Sequence, residues 1–322
     1  MRRREFGKAH GKVVLVGGPT ASGKSELALR LAETCDGVVI NADSMQVYRE
    51  LRILTARPGP AEEARAPHVL YGMQPAAQAC SAARWCDLAR GEIAAAEAAG
   101  KLPILVGGTG LYFRALIEGL APVPEIPAAT REEVRKLHRD LGPAAFHAAL
   151  AQCDPAMAAR LQPGDTQRVI RAFEVRQATG ISLADWQERP GGAAKLTQAY
   201  AMVVLEPPRA ELYARCDARF LAMLQQGGLT EVAALEALGL DPALPAMKAL
   251  GVPELRRHLR GEITLKEAVV AAQQATRRYA KRQTTWFRHQ IDASKAIFTQ
   301  FSESREAEIF AFIRCFLLTE PG

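Results

Sequence analysis

Gly18, Pro19, Thr20, Ala21, Ser22, Gly23, Lys24 and Ser25 follow one another in the spacing G-x-x-x-x-G-K-[ST]. The run is preceded by Val13-Val14-Leu15-Val16. It is followed by a segment, 25–33, in which Leu27, Ala28 and Leu31 recur at a helical period. Strand, glycine-rich turn and helix in that order make a phosphate-binding loop. Backbone N–H groups of the loop and of the helix N-terminus converge on an anion. Gly23 permits close approach, Lys24 adds a charge on the terminal phosphate, and the Ser25 hydroxyl can ligate Mg²⁺. The competing reading is a glycine-rich turn with a solvated lysine.

Proteins that split a triphosphate on such a loop hold the metal with an Asp at another strand end. Here the run Pro103-Ile104-Leu105-Val106 ends in Gly107-Gly108-Thr109-Gly110, with no Asp. Its N–H groups and the Thr109 hydroxyl are read as donors, suited to an anionic leaving group or a phosphate oxygen. The strand-end carboxylate occurs elsewhere. Val38-Val39-Ile40-Asn41-Ala42-Asp43 puts Asp43 just past a second strand, at the edge where open α/β sheets bind ligands. Asp43 can take a proton from a nucleophile, hold Mg²⁺ through water, or merely cap the following turn.

The elements that position these residues follow from periodicity. Apolar runs at 13–16, 37–41, 103–106 and 201–205 read as buried strands, and the Ala-rich stretch 85–99 as a helix closed by Gly100. Strands alternating with helices, with no hairpin signal, predict an α/β fold: a P-loop-type parallel sheet core. Three prolines within 121–127 mark a linker. Beyond it the expectations are a capping box at Thr130-Arg131-Glu132-Glu133, helix starts at Asp154-Pro155 and Asp165-Thr166, and a stop at Gly180. The predicted organisation is a core of 1–120 and about 197–322, ending in helices, with a helical insertion domain at about 121–196.

Two basic segments stand out. Gln167, Arg168 and Arg171 fall within one turn of each other, with Val169, Ile170 and Phe173 on the apolar side. A solvated basic face is the competing reading there. In 277–289, Arg277, Arg278, Lys281, Arg282 and Arg288 occur without an acid, beside Tyr279, Trp286 and Phe287. Basic residues interleaved with aromatics suit phosphate contact and base stacking, although Trp286 reads as core. Arg215 and Arg219, at i and i+4 on one helix face, could reach the anion on the phosphate loop, although the sequence does not assign them a role.

The 322 residues carry 41 Lys+Arg against 35 Asp+Glu, net +6, with 48% hydrophobic and 24% charged residues. These are globular values that exclude a disordered chain or a disulfide scaffold. No apolar stretch of ~18 residues occurs. The stretch 309–318 carries Arg314 and reads as one face of a terminal helix. The six cysteines have no CxxC or zinc-site spacing and read as reduced thiols of a cytoplasmic protein. Arg3-Arg4-Glu5-Phe6-Gly7-Lys8 imitates a twin-arginine export signal, but the apolar run that follows is short and belongs to the phosphate-loop strand.

Taken together, GPTASGKS, NADSMQVY (41–48), Thr55-Ala56-Arg57-Pro58, GGTGLY (107–112), QRVIRAFEV (167–175), GLTEV (228–232) and KRQTTWFR (281–288) resemble the tRNA dimethylallyltransferases. The resemblance spans about 12–290. It departs after Lys248-Ala249-Leu250-Gly251, where Val252-Pro253-Glu254 replace an aromatic and a basic residue. The resemblance implies transfer of a dimethylallyl group from dimethylallyl diphosphate to the exocyclic amine of the adenosine 3′ to the anticodon, with release of diphosphate. It implies that Thr20 to Ser25 hold the diphosphate with Mg²⁺, that Asp43 is the general base, and that Thr109 lines the reaction channel. It assigns tRNA contact to Asp43, Ser44, Met45 and Gln46, to Gln167, Arg168, Val169, Ile170 and Arg171, and to Arg131. Lys281 and Arg282 join these as phosphate contacts to the anticodon stem-loop, and a monomer is expected. The rivals are a small-molecule or nucleotide kinase on the same loop, with ATP as donor, and a nucleotide-dependent RNA-binding switch.

Overall fold

A computed structural model of the chain describes residues 11–189, 195–299, 301 and 303–319. The Arg3–Lys8 segment that imitates an export signal lies outside the described residues. In chain order the elements are β1 (Lys12–Gly17), α1 (Lys24–Cys35), β2 (Gly37–Asn41), α2 (Pro60–Arg65), β3 (His68–Val69), α3 (Ala82–Ala98), β4 (Leu102–Gly107) and α4 (Gly110–Glu118). Then come α5 (Ala128–Cys153), α6 (Pro155–Arg160), α7 (Thr166–Thr179), α8 (Leu183–Glu188), β5 (Ala199–Leu205) and α9 (Arg209–Gln225). The chain continues through α10 (Gly228–Ala237), α11 (Val252–Leu259), α12 (Leu265–Gln290), β6 (Lys295–Ile297) and α13 (Glu303–Leu318).

The six strands form one parallel sheet in the order β3-β2-β4-β1-β5-β6. Its four inner strands are β2, β4, β1 and β5. They are the four apolar runs of the sequence, and they are continuously apolar because both faces of the sheet are covered. On one face Val14, Val16, Val39, Ile104, Val106, Val203 and Leu205 pack against Leu27, Leu31, Ile309, Ile313 and Leu317 of α1 and α13. Lys12 ties the last helix to the first strand. Its ammonium donates to the carbonyls of Phe316 (3.1 Å), Leu317 (2.7 Å) and Thr319, the unpaired acceptors of a helix C-terminus. The edge strands β3 and β6, two and three residues long, have no signature of their own in the sequence. Among the described residues no helix is long and apolar enough to cross a membrane, and all six cysteines are free thiols.

The chain divides into two compact units, one formed by residues up to Ile117 with those from Leu196 onward, the other by Glu118–Lys195. The described part of the second unit is helical around Val134, Phe146, Leu150, Met157, Leu161, Val169 and Ala172. Asp154 caps α6, accepting from Met157 N–H at 3.1 Å, and Gly180 ends α7 at φ 71°. The capping box expected at Thr130 does not form. Pro127, in extended conformation, is the N-cap of α5 three residues earlier, so Thr130 already lies inside the first turn.

Candidate active site

Three strand ends meet at one edge of the sheet. Register pairs Gly17 with Gly107, and Asn41 with Val106. The phosphate loop, the Gly108–Gly110 segment and the Asp43 turn therefore emerge side by side at the carboxyl edge, the binding edge of a doubly wound sheet.

The phosphate loop runs from Gly18 to Gly23, where α1 opens with no side-chain cap. Its first-turn N–H groups and the positive end of its dipole face the loop concavity. Two loop N–H groups are already engaged: Ser22 N–H donates to Pro19 O (3.3 Å) and Thr20 N–H to the Gln283 side-chain oxygen (2.9 Å). Ala21 sits at φ 64°, a left-handed conformation costing a non-glycine residue about 1–2 kcal/mol. The Lys24 ammonium folds back to donate to Pro19 O at 3.1 Å.

Helix α9 closes the other side of this cleft. Ala21, Gly23, Lys24, Ser25, Arg215, Ala218 and Arg219 line it. Arg219 donates to the Thr20 hydroxyl at 2.8 Å. Desolvation by burial pushes the pKa of Lys24 down to about 8. The Asp43 carboxylate works against that shift, and the Arg219 charge adds to it. Burial also lowers Arg219, against the fields of Cys216 and Asp43. Cations held together in one partly desolvated cleft favour a polyanion, which restores the charged forms. The i, i+4 spacing of Arg215 and Arg219 puts both on one face of α9, and the docking of that helix brings Arg219 to Thr20 of the phosphate loop.

Asp43 is fixed by its own turn. Asp43 N–H donates to the Asn41 side-chain oxygen (2.9 Å), and Met45 N–H donates to Asp43 Oδ1 (2.9 Å). Fully buried Asn41 donates in turn to the carbonyls of Asp43 (3.0 Å) and Leu70 (3.1 Å). The capping role and the proton-accepting role are thus compatible: Oδ1 holds the turn and Oδ2 is left for a ligand. Ser44, Met45 and Gln46 are half-buried. The Gln46 amide donates to Thr55 O (2.8 Å) and Ala56 O (2.9 Å). Glu231 of α10 holds that second turn by accepting the N–H groups of Arg52 (2.6 Å), Ile53 (2.7 Å) and Leu54 (2.9 Å).

The Gly108–Gly110 segment differs from its expected use as an anion donor. Thr109 N–H donates to Ala42 O (3.3 Å). The Thr109 hydroxyl accepts from Ser44 N–H (2.9 Å) and donates to the Ser44 hydroxyl (3.1 Å). These donors brace the Asp43 turn instead of facing outward. The glycines are explained by α12: a Cβ on Gly108 would lie 2.1 Å from the Gln283 amide nitrogen, and one on Gly110 1.9 Å from the Trp286 ring.

On α12, Lys281 and Arg282 are exposed, and Arg282 stacks 5.6 Å from the Tyr279 ring. The basic cluster is smaller than its sequence. Arg277 is paired with Asp217 of α9 (2.6 Å) and Arg288 with Glu206 (2.6 Å), acids distant in the chain. Trp286 and Phe287 meet edge to face, and Phe287 is core.

In the second unit, Gln167 and Arg168 are exposed on the first turn of α7, and Arg131 is half-buried on that of α5. Val169 is buried in the unit's core and Ile170 packs against it, so the Val169 side chain is structural and does not fit its expected RNA contact. Arg171 lies 3.7 Å from buried Glu174, which restrains it. Among the described residues no cluster of three or more His, Cys, Asp or Glu could hold a metal. Ser25 is exposed at the mouth of the loop.

Comparison with known proteins gives a consistent answer. A family model described as IPP transferase matches residues 46–290, and one described as isopentenyl transferase matches 11–71. The chain is 61% identical over 283 residues to a tRNA dimethylallyltransferase of Rhodospirillum centenum, covering 88% of this chain and 90% of the relative. It is 57% identical to one of Rhodospirillum rubrum, covering 95% of each. Among solved structures, a full-length tRNA isopentenylpyrophosphate transferase of Bacillus halodurans aligns at TM-score 0.69 and 34% identity, over 95% of this chain and 97% of that one. A eukaryotic dimethylallyltransferase acting on tRNA aligns at TM-score 0.72 and 27% identity, over 86% of this chain and 69% of that one.

Proposed function

The chain belongs to the tRNA dimethylallyltransferase family, a family of prenyltransferases that modify tRNA, and on that premise we propose how its residues divide the reaction. The donor is dimethylallyl diphosphate and the acceptor is the exocyclic amine of the adenosine 3′ to the anticodon. The observation that carries the reading is the cationic cleft of Lys24, Arg215 and Arg219 against an uncapped helix N-terminus, with the Asp43 carboxylate close enough to support the Lys24 charge.

The amine nitrogen forms a bond to the allylic carbon as the carbon–oxygen bond to diphosphate breaks, and the electron pair leaves on the diphosphate. Lys24, Arg219 and the N–H groups of the loop stabilise that growing charge. The attacking nitrogen becomes positive, and Oδ2 of Asp43 takes its proton. Thr109 acts through Ser44 and the Asp43 turn, which it holds in place. Mg²⁺ fits a site with one exposed hydroxyl, Ser25, because this ion takes most of its oxygen ligands from phosphate and water. When bound there it adds positive charge on the diphosphate.

The adenine must leave its stack to reach Asp43. Exposed Lys281, Arg282, Gln167 and Arg168, with Arg131, are the proposed contacts to the anticodon stem-loop. Arg171 joins them if RNA competes with Glu174. Six free thiols suit a reducing cytoplasm, and one chain is the acting unit. The deciding experiment incubates the protein with labelled dimethylallyl diphosphate and unmodified tRNA, and in parallel with γ-labelled ATP. Label on tRNA from the first donor is expected; label transferred only from ATP would replace this reading with a kinase.

The depressed pKa of Lys24 makes a prediction for donor binding. Below about pH 8 the ammonium is charged before the diphosphate arrives, so affinity does not change with pH on its account. Above that value a proton must be taken up on binding, and Kd should rise by up to ~10-fold per pH unit. Inorganic diphosphate titrated into wild type and Lys24→Ala from pH 6.5 to 9.5 checks this, the variant cancelling the probe's own titration. A constant ratio of the two Kd values would mean that Lys24 does not carry the contact.

A further inference from the structure

Gln283 is buried, at 5% exposure, on a helix whose neighbouring positions Lys281 and Arg282 are exposed. A buried amide must have both ends satisfied. Here the two ends go to two different parts of the site. The side-chain oxygen accepts from Thr20 N–H of the phosphate loop (2.9 Å), and the side-chain nitrogen donates to Gly108 O (2.8 Å). Gly108 is open enough to receive that nitrogen only because it lacks a Cβ. Thr20 is the residue whose hydroxyl Arg219 holds, and Thr109, next to Gly108, fixes Ser44 beside the general base. One side chain therefore sets the distance between the loop assigned to the donor and the turn assigned to the proton.

We propose that Gln283 is a positioning residue for the transfer reaction, bridging Thr20 and Gly108 so that the diphosphate loop and the Asp43 turn keep their spacing. The proposal rests on the division of roles given above. Both polar ends of the Gln283 side chain are engaged by Thr20 and Gly108, and changing it leaves Lys24, Arg219 and Asp43 themselves unaltered. Its loss should act on the geometry of reaction, where an error of ~1 Å can cost about a hundredfold.

Two variants separate this from a role in stability. Gln283→Met keeps volume and removes both hydrogen bonds. With saturating donor and tRNA, well below the unfolding temperature, kcat should fall by at least about tenfold while both KM values change less than about threefold. Gln283→Glu keeps the shape but replaces the nitrogen facing Gly108 O by an oxygen. Ionised, it opposes that carbonyl. Protonated, it can donate to it and still accept from Thr20. Its kcat relative to wild type should therefore rise at least about fivefold as pH falls from 8 to 5.5. Lys24, Arg219, Asp43 and Tyr279 titrate or carry charge around these segments, and Gln283→Met, which adds no titratable group, reports their share: its kcat relative to wild type should stay flat over the same pH range. A role in stability alone moves the melting temperature and leaves the Glu variant's ratio flat. Wild-type kcat in the Met variant, or a flat ratio in the Glu variant, overturns the proposal while the functional reading stands. Absence of transfer by the unaltered chain overturns both.

Discussion

Asp43→Asn should slow transfer by about 10²–10⁴-fold, the usual contribution of a positioned general base, with tRNA affinity little changed. The geometry makes this a clean substitution. The Asn side-chain oxygen can still accept Met45 N–H as Oδ1 does, so the turn over 43–45 persists. What disappears is the proton affinity of the other oxygen. The carboxylate also supports the Lys24 charge, so the variant should lose diphosphate affinity at a lower pH than wild type does. Single-turnover rates and tRNA binding, measured separately, check the prediction. A variant that binds tRNA poorly yet turns over normally would make Asp43 an RNA-binding residue and leave the base unassigned.

Lys24→Ala should lower kcat/KM by at least about a hundredfold, or ~3 kcal/mol, the scale of one preorganised charge-stabilising donor. The fold should be unaffected, because the ammonium bonds only its own loop at Pro19 and packs in no core. The loss belongs to donor binding and departure, so tRNA binding without donor should match wild type. A loss of tenfold or less would place the diphosphate away from this loop, with Arg215 and Arg219 the next residues to change.

The sequence made some of this arrangement legible and concealed the rest for identifiable reasons. The four inner strands could be read because a parallel strand covered on both faces is a bare apolar run. β3 and β6 could not, since two or three residues at an edge carry no period. The phosphate loop was visible because its ligand groups are contiguous. The glycines at 108 and 110 carry no such signal, because their reason lies about 175 residues away in Gln283 and Trp286, while Gly107 is held to glycine by the backbone of Ala42. The same distance hid the acids that neutralise Arg277 and Arg288. Arg219 shows the intermediate case. A helical spacing gives the face on which it lies, but the bond to Thr20 depends on how α9 docks. Val169 shows a limit of motif reading: a segment aligned to a contact region still contains the residues that hold its helix to the core.

The central place of β1 has a consequence for the time the chain spends on the ribosome. β1 needs β4 on one side and β5 on the other, and β5 is made only after the whole Glu118–Lys195 unit. At ~5–20 residues per second, the interval between β1 and β5 is on the order of ten seconds or more. Throughout it, the strand carrying the phosphate loop has at least one unpaired edge, written in Val13-Val14-Leu15-Val16 with Lys12 as its one charge. An unpaired apolar edge is a template for strands of other chains. The nascent protein is therefore most exposed to misassembly while its helical unit is being translated, and slow codons within that unit lengthen the exposure.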